Sequence, residues 1–257
     1  GGVLCEEQGL PAGYVRAFAK ARRFLCAVRI IRRFLSKSPV AYRGLFCHNG
    51  LNQGENGTER EEEHTVQKLK DRIRREGKVL PGNIIKVDGF LNHRVDTRLM
   101  ADMAEEFARL FDVSEITMVL TAEASGIALA TICAARYGVP MVFAKKAKSD
   151  NIEGGLYQSE IYSYTYKRKV TQILSREWLT AKDRVLIVDD FMANGEAVRG
   201  LCDIVSQAGA ELVGVGIAVE KGFQGGGDRL RAAGVPYHAL AVIDRADEDG
   251  IVFRDEA

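Results

Sequence analysis

The chain has few of the residues that build disulfide frameworks or histidine metal sites. Its 257 residues include five cysteines, widely spaced and without a CxxC pair, and four histidines. The cysteine number is odd and no secretory signal is evident, so we expect free thiols in a reducing compartment, the cytoplasm. The histidines lack metal-ligand spacing, and we assign no side chain as a direct metal ligand.

Long apolar runs and a strong net charge are also lacking. No run approaches the ~20 apolar residues that a membrane-spanning helix needs, so we expect no membrane partner. Lysine and arginine (36) almost balance aspartate and glutamate (35), which gives a formal net charge of +1. This balance creates no global field, and we expect no nucleic-acid partner. The composition, 46% hydrophobic and 28% charged, is typical of a globular domain.

The first 65 residues differ in pattern from the rest of the chain. Residues 16–37 are basic and fit an amphipathic helix, whereas residues 50–63 have a polar, glycine-containing linker pattern. Three interpretations are open: a targeting-like or membrane-surface segment, a DNA-binding domain, or a dispensable leader. We favour the last, and expect residues 1–65 to be a disordered extension before a domain at 66–257.

From about residue 66, apolar residues recur with the periods of regular secondary structure. One short helix ends at Gly77, and the next carries an apolar stripe of Leu99, Met103, Phe107 and Leu110. Strands and helices then alternate. The strands lie at 116–121, 139–146, 185–188 and 212–221, and the helices lie at 127–137 and 196–208, closed by Gly138 and Gly209. This alternation, with continuous apolar strands, predicts an α/β fold with a parallel sheet.

Polar or glycine-bearing residues follow all four of these strands. They are Glu123–Gly126, Lys145–Lys146, Asp189–Asp190 with Ala193–Gly195, and Glu220–Lys221. In parallel sheets, ligands bind beyond the carboxyl ends of the strands. The convergence therefore predicts one binding site along this edge of the sheet.

The stretch VLIVDDFMANGEA (185–197) indicates what this site binds. Small residues from Ala193 to Ala197 let backbone N–H groups approach an anion at the start of a helix, which fits a phosphate. Asp189 and Asp190 would repel a phosphate, but they accept hydrogen bonds from a vicinal diol or act on a metal through water. A phosphate cradle beside a diol acceptor describes a site for a ribose 5-phosphate.

The same stretch resembles the 5-phosphoribosyl 1-pyrophosphate (PRPP) signature of the type I phosphoribosyltransferases. The resemblance runs from about residue 66 to 255 and includes the segments at 79–96, 123–130, 139–146 and 207–224 and the closing GIVFRDE. It implies an α/β fold whose central, mostly parallel sheet is flanked by helices. It also implies a small hood built from the segment around 79–96 and the C-terminus, and a homodimer.

The resemblance assigns roles to the residues at the strand ends. Asp189 and Asp190 would be the catalytic pair that faces the ribose hydroxyls. The PRPP contacts would be Ala193, Asn194, Gly195, Glu196 and Ala197 at the 5-phosphate, Glu123, Ala124, Ser125 and Gly126 at the pyrophosphate, and Lys145 and Lys146 beside the anionic donor. Mg²⁺ would accompany the pyrophosphate, and no covalent nucleophile is needed.

The segment KVDGFLNH (86–93) resembles that of family members that use xanthine. The resemblance places the base against Ile85 and Asn92, with Lys221 reaching a purine oxygen. Donors suit a dioxopurine, which presents more acceptor oxygens than adenine. Each residue also has a structural interpretation, since Ile85 fits a core, Asn92 fits a turn and Lys221 fits a strand end. From position alone, we expect Phe191 or Met192 to pack on the purine face.

Two segments and two alternative functions remain open. By analogy, residues 148–169 would form a mobile flap over the donor, although they also fit an ordinary surface hairpin. We interpret Gly225–Gly227 as a flexible turn. The first alternative function is a transcription regulator of the same fold that senses PRPP without catalysis. The second is a phosphoribosyltransferase for another purine base.

Overall fold

A computed structural model of the chain describes residues 56–146, 155–163 and 168–254. The predictions for the basic stretch 16–37 and for the rest of residues 1–55 therefore lie outside the described residues. Within the described part, none of the helices is both long and apolar enough to span a membrane.

The described residues form five α-helices and ten strands. The helices are α1 (Asn56–Glu76), α2 (Thr97–Leu110), α3 (Gly126–Tyr137), α4 (Glu196–Ala208) and α5 (Gly226–Ala232). The strands are β1 (Lys78–Leu80), β2 (Ile84–Lys86), β3 (Met118–Ala122), β4 (Met141–Ala144), β5 (Leu156–Ser163), β6 (Arg168–Ser175), β7 (Arg184–Met192), β8 (Glu211–Lys221), β9 (Tyr237–Asp247) and β10 (Gly250–Phe253). A single π-helical turn spans Asp88–Asn92.

The central sheet has six described strands in the order β10-β9-β8-β7-β3-β4. All neighbouring pairs are parallel except β10 with β9. The α/β fold with a mostly parallel sheet, predicted from the alternating pattern, is confirmed. Strands β3 and β7 are covered on both faces, as their continuous apolar runs require.

Helices cover the sheet on both faces and supply most of its core. On one face, α2 buries Met103 and Phe107 completely, and burial of such side chains stabilises the fold by about 1.5–3 kcal/mol each. Asp96 begins this helix by accepting hydrogen bonds from the backbone N–H groups of Arg98 and Leu99. On the other face, α4 buries Leu201 and Val205 against β7 and β8.

Glycines end three of these helices at the predicted residues. Gly138 and Gly209 follow α3 and α4 in the left-handed conformation, with φ of 73° and 68°. The Gly77 N–H donates to the Ile73 carbonyl at 2.8 Å where α1 ends. The helix predicted at 196–208 has these bounds in the structure.

Three local predictions were wrong. Helix α1 begins at Asn56, so residues 56–63 are helical rather than a linker. Gly226 and Gly227 form the first turn of α5 and not a flexible turn, because they pack closely against other segments of the same polypeptide. Strand β7 continues past residue 188 to Met192, because its ladder with β8 extends to Met192 opposite Glu220. The two aspartates therefore lie within the strand, near its end.

Two hairpins lie outside the central sheet. Strands β1 and β2 pair in an antiparallel hairpin whose turn holds Asn83 at φ 59°. This hairpin contacts β9 and shares a cavity with the β9–β10 turn. The hairpin and the π-helical turn make up the segment predicted to form the hood and are called the hood below. Strands β5 and β6 pair in register from Leu156–Ser175 to Ser163–Arg168. That hairpin contains the described part of the predicted flap, whose mobility stays a prediction.

Candidate active site at the carboxyl edge of the sheet

Asp189 and Asp190 are buried side by side near the end of β7. They are 6% and 1% exposed, and Asp189 Oδ1 accepts a hydrogen bond from the Asp190 backbone N–H at 3.1 Å. Burial, and next the negative charge of Asp190, raise the pKa of Asp189 well above its usual range. Asp190 Oδ2 is buried without a protein hydrogen-bond partner. A buried carboxylate oxygen that is still able to accept is suited to a bound hydroxyl group or hydrated cation.

The loop Glu123–Gly126 lies directly against this pair. A Cβ added at Gly126 would lie 2.1 Å from Asp189 Oδ1 and 2.2 Å from Thr121 Oγ1, so only glycine fits. The Thr121 hydroxyl also donates to Asp189 Oδ1, at 3.5 Å. The peptide bond between Glu123 and Ala124 is cis. The structure thus brings together the predicted catalytic pair and the predicted pyrophosphate loop.

The two predicted lysines follow β4 directly. The Glu123 carboxylate accepts a hydrogen bond from the backbone N–H of Lys146, which ties the loop to the end of β4. The positive charge of Lys146 acts to lower the pKa of Asp189, although burial outweighs it. Lys145 pairs through its backbone with Ile173, so it is fixed to the β5–β6 hairpin.

The segment Ala193–Ala197, here called the phosphate loop, joins β7 to the start of α4. Gly195 has φ 81°, and the Asn194 side chain accepts a hydrogen bond from the Glu196 N–H at 3.3 Å. The loop is partly exposed, with its backbone at a helix N-terminus. The Glu196 carboxylate bonds Arg199 and the Tyr162 N–H of β5, and the bond to Arg199 is the main cause of its lowered pKa.

Asn92 shares a cavity with the predicted pyrophosphate loop. The cavity has a volume of about 490 Å³ and is lined by Asn92, Val95, Ala124, Ser125, Ile127 and Ala128. Asn92 ends the π-helical turn that starts at Asp88, and its side chain is exposed. An amide at the edge of a cavity that is otherwise largely apolar is typical of a site for a small organic ligand.

Lys221 and Phe191 meet at the ends of β7 and β8. The Lys221 Nζ lies 5.6 Å from the centre of the Phe191 ring and donates to the Asn83 carbonyl of the hood at 3.0 Å. Partial burial lowers the pKa of Lys221. The lysine therefore links the hood to the sheet edge, and its ammonium is within reach of whatever packs on Phe191.

Two of the residues considered for the base lie in the core. Met192 is 2% exposed and packs in the cluster beneath α4, so the expectation that it packs on a purine face is wrong and Phe191 alone remains. Ile85 is 8% exposed and belongs to the hydrophobic cluster on the opposite face of the sheet. Its contact with a base stays a prediction.

The residues of this edge fit Mg²⁺ only as a companion of a bound phosphate group. In the described part of the chain, no cluster of three or more histidine, cysteine, aspartate or glutamate side chains is arranged to hold a metal. Mg²⁺ usually keeps several waters and binds through one or two carboxylates plus substrate phosphates. The unpartnered Asp190 oxygen matches that kind of donor.

Sequence reasoning missed several residues that shape this edge. Thr121 touches Asp189, Asn83 contacts Lys221 through its carbonyl, and Arg229 donates to the Asn194 carbonyl. Nothing in the local pattern marks the last two, because they reach the site from other parts of the fold. Thr121 lies two residues before Glu123, where the pyrophosphate loop begins. That position could have marked Thr121 as a residue near the site.

Known proteins with similar sequences include members of the family that the motifs resemble. A sequence model of the phosphoribosyl transferase domain matches residues 91–231. A xanthine phosphoribosyltransferase of Lachnoclostridium phytofermentans is 50% identical over 193 residues, covering 74% of this chain and 100% of that protein. A xanthine phosphoribosyltransferase of Alkaliphilus metalliredigens is 47% identical over 191 residues, covering 74% of this chain and 95% of that protein.

Solved structures resemble the fold more distantly. The adenine phosphoribosyltransferase of Rhodothermus marinus superposes with a TM-score of 0.56 at 26% identity, covering 70% of this chain and 98% of that one. The enzyme of the same name from Saccharomyces cerevisiae gives 0.58 at 21% identity, covering 69% and 98%.

Proposed function

The chain belongs to the phosphoribosyl transferase family, and from that membership we propose that it is a xanthine phosphoribosyltransferase of purine salvage. It converts xanthine and PRPP to xanthosine monophosphate and pyrophosphate. The observation that carries the proposal is its 50% identity to a xanthine phosphoribosyltransferase over that protein's whole length. The buried aspartate pair beside the two loops that are predicted to bind anions is consistent with the same chemistry.

In the proposed complex, PRPP lies along the carboxyl edge of the sheet. The backbone N–H groups of the phosphate loop and the N-terminus of α4 receive its 5-phosphate. Asp189 and Asp190 accept hydrogen bonds from the ribose hydroxyls, and Asp190 Oδ2 has no protein hydrogen-bond partner to give up. The Glu123–Gly126 loop and Lys146 face the pyrophosphate, and Lys145 lies beside them.

Xanthine occupies the space between the hood and the sheet edge. Asn92 and Lys221 supply donors to its oxygens, and the Phe191 ring supports its flat face. Lys221 exchanges the Asn83 carbonyl for a purine oxygen, so the base replaces a hydrogen bond that the free protein makes internally. Ile85 contributes only a small exposed fraction of its side chain.

The reaction transfers the phosphoribosyl group to a purine ring nitrogen and releases pyrophosphate. The transition state has oxocarbenium character, and the two carboxylates lie where positive charge develops on the ribose. Hydroxyl donors from bound ribose favour the ionised form of Asp189, which offsets the effect of burial on its pKa. Asp190, whose Oδ2 has no protein hydrogen-bond partner, would help to hold hydrated Mg²⁺ beside the pyrophosphate, and the bound ion would supply charge neutralisation at the leaving group.

We further propose a cytoplasmic homodimer. Both described cysteines, Cys133 and Cys202, are free thiols, which is consistent with a reducing compartment. The dimer rests on family resemblance alone, and light scattering coupled to size-exclusion chromatography measures it directly.

The deciding experiment measures pyrophosphate release from PRPP and Mg²⁺ with xanthine, hypoxanthine, guanine and adenine offered separately. We expect turnover with a preference for xanthine, lost in an Asp189→Asn, Asp190→Asn double variant. A preference for another base would correct the substrate. Retained PRPP binding without turnover on any base would refute the enzyme and favour a sensor.

A further inference from the structure

The triple glycine at 225–227 has a place in the fold that the sequence pattern did not reveal. Gly225 has φ 69°, and Gly226 and Gly227 form the buried first turn of α5. This turn lies against the phosphate loop rather than in solvent. It therefore borders the site without belonging to any of the loops assigned to a ligand.

We propose that Glu220, Gly226 and Arg229 are positioning residues that hold the phosphate loop in the shape that receives the 5-phosphate of the donor. The inference rests on the proposed function for the identity of that loop. None of the three residues touches the ligand in this proposal. Gly226 and Arg229 act on the backbone of residues 193–195, and Glu220 acts through the start of α5.

The first contact is the close approach of two backbones. A Cβ added at Gly226 would lie 2.6 Å from the Ala193 carbonyl oxygen, 3.1 Å from the Asn194 carbonyl carbon and 3.1 Å from the Gly195 nitrogen. All three are backbone atoms of the loop, which lack the freedom of a side-chain end. The first turn of α5 therefore serves as a wall against which the loop packs.

The second contact fixes that wall to the sheet. Glu220, at the end of β8, is fully buried and accepts hydrogen bonds from the Gly227 N–H at 2.9 Å and the Tyr237 hydroxyl at 2.7 Å. A Cβ at Gly227 would lie 2.5 Å from a Glu220 carboxylate oxygen, so glycine is required here too. The carboxylate ties the start of α5 to two neighbouring strands.

The third contact reaches the loop directly. The Arg229 guanidinium donates to the Asn194 carbonyl of the phosphate loop and to the Gln224 carbonyl, which lies just before α5. These bonds orient the peptide that follows Asn194. The backbone N–H groups of that peptide and its neighbour are the ones offered to a phosphate, so their direction decides how well the loop binds.

The test uses ribose 5-phosphate as the probe and calorimetry as the readout, beside steady-state kinetics with PRPP and xanthine. We expect Gly226→Ala and Arg229→Met to raise the Kd of ribose 5-phosphate and the KM of PRPP by about tenfold or more, since displacements near 1 Å cost up to ~100-fold. The KM of xanthine should change less than twofold. Glu220→Gln, which removes one acceptor oxygen, should have a smaller effect in the same direction, and Arg229→Lys should recover part of the loss.

Two matched controls separate positioning from general damage. Arg136→Met removes a guanidinium that pairs with Glu105 on α2, and Lys182→Met changes an exposed side chain just before β7. Both should keep the wild-type Kd and KM. A loss of folded protein lowers the apparent kcat and leaves these constants unchanged, so it cannot imitate the expected result.

The outcomes distinguish this inference from the proposed function. Wild-type Kd and KM in folded Gly226→Ala and Arg229→Met proteins would overturn the inference while xanthine turnover stands. Weakened ribose 5-phosphate binding in these variants, in a protein that turns over no base, would support the inference and refute the enzyme. A wild-type protein that binds no ribose 5-phosphate would overturn the inference, and the absence of both this binding and turnover with any base would overturn the proposed function as well.

Discussion

The packing of Gly126 against Asp189 and Thr121 gives the sharpest prediction about catalysis. In Gly126→Ala, the new Cβ would lie 2.1 Å from Asp189 Oδ1 and 2.2 Å from Thr121 Oγ1, whereas ordinary contacts begin at 3.4 Å. The carboxylate or the loop must therefore shift by about 0.9 Å to reach a tight contact of 3.0 Å, and by about 1.3 Å to reach an ordinary contact of 3.4 Å. Both neighbours are buried, so the strain cannot be released into solvent.

The displacement sets the expected size of two effects. Overpacking of this kind costs about 1–3 kcal/mol, which corresponds to a fall of roughly 2–12 °C in Tm for a domain of this size. A shift near 1 Å in a catalytic carboxylate lowers kcat/KM by about 100-fold. The loss of activity should therefore far exceed what the loss of stability explains at 25 °C.

Thermal unfolding by calorimetry and pyrophosphate release measure the two effects on the same preparations. Gly89→Ala is the control for Tm, because its Cβ meets nothing within 4 Å and it reports the general effect of replacing glycine. Adding Thr121→Ala to Gly126→Ala removes one of the two clashes and should recover part of the Tm. Wild-type kcat/KM in the folded Gly126→Ala protein would refute the assignment of Asp189 to the reaction.

Three further predictions concern charge, base binding and metal. Burial raises the pKa of Asp189 in the folded protein. The protonated carboxyl therefore contributes stability to the ligand-free protein that is fully present below about pH 4 and is lost as pH rises through the folded-state pKa. Asp189→Asn should raise Tm more at pH 8 than at pH 5, and an equal change at both would contradict the burial argument. Lys221→Met removes a charged donor and should raise the KM of xanthine by about 10–100-fold, which corresponds to about 1.5–3 kcal/mol, with little change in the KM of PRPP. The control is Lys86→Met, on the exposed side of the hood. An equal effect of the two variants would argue against a specific contact of Lys221. Chelation of Mg²⁺ should abolish turnover. It should not lower the Tm of the ligand-free protein, because the described residues form no metal cluster. A fall in Tm would indicate a resident structural metal.

The hydrophobic pattern predicted the parts of the fold that depend on local sequence. Continuous apolar runs marked β3, β4, β7 and β8, and Gly138 and Gly209 marked the helix ends, because left-handed backbone at those positions selects glycine. Strand β9 was missed although residues 239–243 form a continuous apolar run, because polar residues on both sides, such as His238 and Arg245, leave that run only five residues long. The hairpin β1–β2 was missed because each strand has only three residues.

The chemistry of the site was also largely local. The sequence by itself determined that two carboxylates, a small-residue loop and a helix start follow one another at residues 189–197, and parallel strands bring their carboxyl ends to one edge. That order was enough to predict a ribose 5-phosphate site and the residues around it, because consecutive residues remain neighbours in any fold.

Only the tertiary structure decided which distant residues support that site. It placed Met192 in the core and Phe191 toward Lys221, because alternate side chains of a strand point to opposite faces and the strand continues past residue 188. It also set Gly226 against the phosphate loop and Lys221 against Asn83, 138 positions away. Such contacts depend on how strands and helices pack, and hydrophobic periodicity carries no information about which elements meet.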